Sequence, residues 1–209
     1  SITLTSKIKS GLKYVVLREE FSREPCESRR TGSAFVCGGG SDPLDLSAIA
    51  VEALSKVHEV GRITVVIGNF YRGRLLDGNV KSNGKSILTF VCHDNPRELM
   101  IRSQFAVVSY GMTALECLSA GLPTISLGLT EDHDASGNAI SRAFGTFYHI
   151  GPIATTPSSI IELAISKLFA VAQRDGWDSL HAQSRCTVDG KGAERVATLV
   201  RSIHVCAVK

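Results

Sequence analysis

The sequence predicts an open, mostly parallel α/β sheet of about six strands with helices on both faces. Three observations support this. Short apolar runs at 33–37, 63–67, 87–91, 105–108 and 124–127 have strand length, and glycine, proline or asparagine follow them closely. Helix-length amphipathic stretches alternate with the later runs. The segment 105–127, FAVVSYGMTALECLSAGLPTISL, reads as one complete strand–helix–strand unit.

In that unit, residues 105–108 form a buried strand, Ser109-Tyr110-Gly111 a tight turn, and 113–120 a helix. Gly121 and Pro123 end the helix in the usual order, glycine at its end and proline just beyond. A helix start after a small-residue turn presents unpaired N–H groups and attracts anions, phosphate above all. Glu116, one turn in, is then placed to accept from neutral hydroxyls such as those of a ribose. A plain structural crossover with a solvated glutamate yields the same pattern, so the flanking motifs must decide.

The N-terminal segment 1–31 reads as a lead-in and linker, with a short strand at 14–17 and a charged surface turn, LREEF, after it. The strand at 33–37 runs into Gly38-Gly39-Gly40-Ser41-Asp42-Pro43. A glycine triplet there lets backbone approach a ligand and can form an anion-binding nest, although a sharp structural turn explains it equally well. It matches neither the dinucleotide fingerprint nor the Walker loop. The helix over 44–60 has Asp45 or Ser47 as its expected cap. Residues 70–85 are polar and irregular. After the strand at 87–91 comes Cys92-His93-Asp94-Asn95-Pro96, with Pro96 suited to the first turn of a helix to about 103. No second His or Cys stands at ligand spacing from His93, which favours a loop or ligand contact over a metal.

Thr130-Glu131-Asp132-His133-Asp134 reads as an acidic loop ahead of a helix over 135–144. It follows a strand C-terminus, where open parallel sheets bind ligands. His133 and Asn138 are therefore candidate sugar contacts, with a solvated acidic loop as the alternative. A polar strand over 146–150, helices over 157–172 and 177–185, and a tail from 189 that leads a final helix to about 205 complete the chain. Lys191, in DGKG, is read as part of a surface turn.

With 209 residues, 44% hydrophobic and 21% charged, the chain can bury a core as an ordinary globular domain. A net charge of +3 without Lys/Arg blocks argues against nucleic acid and suits an anionic nucleotide. The cysteines at 26, 37, 92, 117, 186 and 206 are scattered, without a C-x-x-C pair. Cys37, Cys92 and Cys117 lie in or beside apolar runs, which points to buried thiols in a reducing cytoplasm. No signal peptide or spanning segment is visible. The expected protein is cytoplasmic.

Several separated motifs converge on one family. GLKYVVLREEF (11–21), CGGGSDPLDLS (37–47), HDNPRELM (93–100), SYGMTALECLSAGLP (109–123) and DGKGAERV (189–196) occur in one order over nearly the whole chain. In them the chain resembles the C-terminal half of the GT-B-type UDP-sugar hydrolases of pseudaminic acid biosynthesis and the related spore-coat polysaccharide proteins. It is more distantly similar to the nucleotide-binding domain of the GlcNAc transferase of peptidoglycan synthesis. The resemblance implies a GT-B C-terminal domain over 32–209 that binds UDP or a UDP-sugar. Glu116 would hold the ribose hydroxyls, and Gly111, Met112 and Thr113 would offer N–H groups to the diphosphate. Gly39, Gly40 and Ser41 would lie near the phosphates, and the segment 91–95, with Val91, His93 and Asn95, would grip the uracil.

The resemblance further implies an N-terminal GT-B domain, in cis or on a separate chain, that supplies the water-activating histidine. Nothing equivalent to that histidine stands here, so no catalytic residue is assigned within this chain. No metal or cofactor is expected. Hydrolysis of a UDP-linked amino-deoxy sugar is the leading expectation. The donor half of a glycosyltransferase, or a non-catalytic module that keeps the fold, are the alternatives.

Overall fold

The computed structural model describes residues 9–23, 31–75 and 83–207, with side chains described as far as residue 202. The middle of the irregular stretch 70–85, most of the linker 24–31, Cys26 and the side chain of Cys206 lie outside these residues.

Six strands form one sheet: β1 (Ser33–Cys37), β2 (Arg62–Ile67), β3 (Ser86–Val91), β4 (Phe105–Ser109), β5 (Thr124–Gly128) and β6 (Phe147–Pro152). Their order is β3-β2-β1-β4-β5-β6, and every pairing is parallel. Strands β1 and β5 are buried at every position, as strands covered on both faces must be. Among the described residues, seven helices cover or flank the sheet: α1 (Leu46–Lys56), α2 (Pro96–Ile101), α3 (Met112–Ser119), α4 (Glu131–Ala143), α5 (Ser158–Asp175), α6 (Trp177–Thr187) and α7 (Gly192–Ala207).

Alternate strand residues feed two cores. Ala34, Val36, Ile63, Val65 and Phe105 pack under α1 and α5. Phe35, Cys37, Ala106 and Val108 pack under α2, α3 and α4. The chain goes outward from β1 to the β3 edge, then crosses back to β4 through α2, which packs beside α3. The direction of winding reverses between β1 and β4.

The structure corrects several local readings. Residues 14–17 join no strand ladder. A 3₁₀ turn, Leu12–Tyr14, and extended backbone lead into a second 3₁₀ turn, Glu19–Ser22. Leu17 and Phe21 are buried against α3, so the apolar run serves packing and not sheet pairing. The stretch 130–134 is no loop: α4 begins at Glu131, and the Thr130 hydroxyl caps it by accepting from the His133 N–H at 3.2 Å. Acidic residues in that turn suit the positive helix end. Cys37 and Cys117 are buried thiols, but Cys92 is exposed. No described helix is long and apolar enough to cross a membrane.

Candidate functional site

Where β1 and β4 lie side by side, α1 leaves one strand toward one face and α3 leaves the other toward the opposite face. Such a reversal opens a crevice at the strand carboxyl ends, where ligands of this fold class bind. The Gly38–Gly40 loop and the Ser109–Gly111 turn bring their backbones together there. A Cβ on Gly39, whose φ is 97°, would lie 3.5 Å from the Ser109 Oγ. On the other side, a Cβ on Gly68 would lie 2.1 Å from the Gly40 carbonyl oxygen, so the end of β2 braces the same loop.

Three of the helices that begin at this edge, α1, α3 and α4, differ in their first turns. On α1 the capping role falls to Asp42, and neither Asp45 nor Ser47 fills it. Asp42 accepts from the N–H groups of Leu46 and Ser47, both at 2.8 Å. Gly38 makes room for that carboxylate, because a Cβ there would come within 2.1 Å of it. The positive end of α1 is therefore already occupied. On α4, Thr130 caps and Glu131, Asp132 and Asp134 fill the first turn, which repels anions. On α3 there is no side-chain cap and no acid in the first turn. Gly111, Met112 and Thr113 precede the first backbone bond, from Ala114 N–H to the Gly111 carbonyl at 3.1 Å. The start of α3 is thus the one of these three that neither a side-chain cap nor an acid closes to an anion. Asp42→Ala is expected to destabilise the fold by about 2 kcal/mol through loss of the α1 cap. That corresponds to a Tm about 4–8 °C lower in a thermal melt.

Glu116 stands one turn into α3 and is buried. Its Oε1 accepts from Arg18 Nε at 3.0 Å, across 98 residues of sequence. Arg18 also pairs with Glu20 at 3.3 Å and lies over the Phe21 ring, 5.3 Å from its centroid. Burial pushes the Glu116 carboxyl above its ordinary value, and the Arg18 guanidinium opposes that rise. Burial likewise pushes the Cys37 thiol up to about 11, against the opposing hydrogen bonds from Gly39 and Thr113, so it is protonated and unreactive at neutral pH. Arg18 was not recognisable as a site residue in the sequence. Its charged LREEF context reads as a surface turn, and the sole local signal of docking was the apolar Phe21 that closes it.

Val91 ends the edge strand β3 and is exposed, and Cys92 follows with φ 47°. His93 packs edge-on against Phe90, and its Nδ1 accepts from the Asn95 N–H at 3.2 Å. Strand β3 is three spacings from β4, roughly 14 Å. The turn 92–95 leads into α2, which packs beside α3. His133 sits in the first turn of α4 with its ring 5.6 Å from that of Tyr110, the residue after β4. Asn138 lies roughly 7 Å further along α4 and donates to the Asp134 carbonyl at 2.8 Å, apart from the other candidates. The site is an open shelf. A groove of about 470 Å³ lies elsewhere, between the first 3₁₀ turn and α7, and is lined by Lys13, Tyr14, Arg195 and their neighbours.

The fold is that of a Rossmann-like α/β domain, with a candidate ligand shelf at its switch point. No protein-family model matches the chain. An uncharacterized protein of Methanocaldococcus jannaschii, MJ1062, is 32% identical over 126 residues, covering 56% of this chain and 26% of that protein. Among solved structures, MurG of Acinetobacter baumannii superposes with a TM-score of 0.65 at 12% identity, over 84% of this chain and 51% of MurG. The glycotransferase of kitacinnamycin superposes with a TM-score of 0.52 at 19% identity, over 81% of this chain and 43% of that one. The chain thus spans about a quarter of the archaeal relative and about half of each solved structure. These likenesses show the fold, an all-parallel six-stranded α/β domain.

Proposed function

We propose that this domain binds the nucleotide of a UDP-sugar at the crevice between β1 and β4. The observation that carries the reading is the uncapped, acid-free start of α3 facing the Gly39–Gly40 loop, with a buried carboxylate one turn behind it. The N–H groups of Gly111, Met112 and Thr113 meet the diphosphate, with Gly39, Gly40 and Ser41 beside it. Glu116 accepts from the ribose hydroxyls. Val91, His93 and Asn95 hold the uracil from the far side, and His133 lies toward the sugar, with Asn138 outermost. The diphosphate charge is met by backbone dipoles, so the reading requires no metal.

The parent reaction in this proposal is hydrolysis of a UDP-linked amino-deoxy sugar for surface glycans. A facing domain, in cis or as a separate chain, supplies the base that activates water while this domain orients the donor. Leu44, Phe70, Val91, Met112 and Leu129, all at or beside the carboxyl edge, are exposed, and this apolar rim supports a facing partner. A second reading, the donor half of a glycosyltransferase, is favoured by the likeness to a protein named as a glycotransferase.

Calorimetry with UDP, and with CMP and GDP as controls, tests the nucleotide assignment. Heat from UDP alone is the expected result. A folded chain that gives none with UDP overturns the assignment and leaves a module that keeps only the fold.

A further inference from the structure

Arg18 lies on a segment that the protein fixes with unusual thoroughness. Phe21 is fully buried, and its carbonyl accepts from the Ser119 hydroxyl, at the end of α3, at 3.2 Å. The DGKG turn clamps the other side. A Cβ on Gly190 would lie 2.2 Å from the Phe21 carbonyl oxygen, and one on Gly192 would lie 2.0 Å from that of Val15. Arg195 donates to the Lys13 carbonyl at 2.9 Å and makes a two-pronged pair with Asp189. The DGKG and LREEF motifs are therefore one physical unit, and what that unit presents to α3 is the Arg18 guanidinium.

We propose that Arg18 is a positioning residue of the nucleotide site, orienting the Glu116 carboxylate toward the crevice and keeping it a hydrogen-bond acceptor. The proposal rests on the nucleotide reading given above. A buried carboxyl left to itself takes up a proton, and a carboxylic acid offers a hydroxyl pair one poorer acceptor and a competing donor. The charged and titratable groups facing Glu116 are Arg18 and Glu20 from the docked segment, Cys37 from β1 and Cys117 from α3 itself. Of these, Arg18 is the cation, and its Nε holds one of the two carboxylate oxygens, Oε1.

The test compares the full chain with Arg18→Met, which keeps the cover over Phe21, and with Arg18→Lys. Carboxyl carbon NMR follows the Glu116 resonance, assigned with Glu116→Gln, and calorimetry follows UDP affinity at pH 5.5 and pH 8. Arg18→Met is expected to move the Glu116 titration to higher pH, and Arg18→Lys to return it part of the way. UDP affinity of Arg18→Met should fall about tenfold at pH 5.5 and recover to within about threefold of the parent at pH 8. An unmoved Glu116 titration, or an equal loss of affinity at both pH values, overturns the proposal. The NMR titration needs no ligand. If the parent chain binds no UDP while the Glu116 titration still moves, the Arg18–Glu116 coupling is supported and the nucleotide reading falls.

Discussion

Glu116→Ala is expected to lower UDP affinity by a factor of about 150 while the chain remains folded. Two ribose hydroxyls donating to one carboxylate form charge-assisted hydrogen bonds, each worth about 1.5 kcal/mol at the low end, or ~3 kcal/mol together. The loss should be specific to the ribose. Uridine diphosphate lacking the 2′-hydroxyl should bind the parent chain about tenfold more weakly and the variant no more weakly than UDP itself. A folded Glu116→Ala chain with parental UDP affinity would refute the ribose assignment outright.

The same residue sets a pH dependence whose sign follows from its burial. The folded-state pKa of Glu116 is raised above its ordinary 4.5, so the folded chain holds its proton at pH values where the unfolded chain has released it. The contribution to stability is fully present below the unfolded value and is lost as pH rises through the folded one. Glu116→Gln cannot ionise and should lack that component. Urea unfolding at pH 4.5 and pH 7 reads the difference, with a smaller loss of stability on going to pH 7 in Glu116→Gln than in the parent. Binding runs the opposite way, because the ligand needs the carboxylate that folding disfavours. The proposed ribose contact therefore works against the pH dependence of folding, and the two are read out separately by calorimetry and by urea unfolding.

How far the sequence could be read depended on how local each signal was. The strands β1, β4 and β5 were legible because burial on both faces demands continuous apolar runs, and α3 was legible because Gly121 and Pro123 punctuate its end. The candidate shelf followed from the same residues, since a strand, a glycine turn and a helix start are consecutive in the chain. The α1 cap was misassigned because Asp42, Asp45 and Ser47 are all capping residue types within six residues of one another. The choice is made by the space above Gly38, which no local pattern records. Segment 14–17 has a strand's composition, yet Leu17 and Phe21 find their partners on α3, about a hundred residues away. Arg18 was missed for the same reason. Long-range contacts decide which charged residues are solvated and which are enclosed, and periodicity carries no information about them.

Gly190→Val is expected to have the largest effect on stability of any single change at the clamp. Gly190 has φ 73°, a conformation that β-branched residues strongly resist. Its missing Cβ also faces the Phe21 carbonyl at 2.2 Å and the Ser119 Oγ at 3.0 Å. The first of these neighbours is backbone and cannot rotate away. The side chain can be accommodated only by moving the docked segment, which withdraws the fully buried Phe21 from its pocket beside α3. Backbone strain and a vacated aromatic site together should destabilise the chain by about 3 kcal/mol or more, lowering Tm by roughly 6–12 °C. Because Arg18 moves with the segment, the variant should also show the elevated Glu116 titration expected of Arg18→Met, although its substitution lies 172 residues away from Arg18 in sequence (190 − 18). A Gly190→Val chain of parental Tm would mean that the DGKG turn yields without disturbing the segment. A lowered Tm with an unchanged Glu116 titration would mean that the clamp stabilises the fold without positioning Arg18.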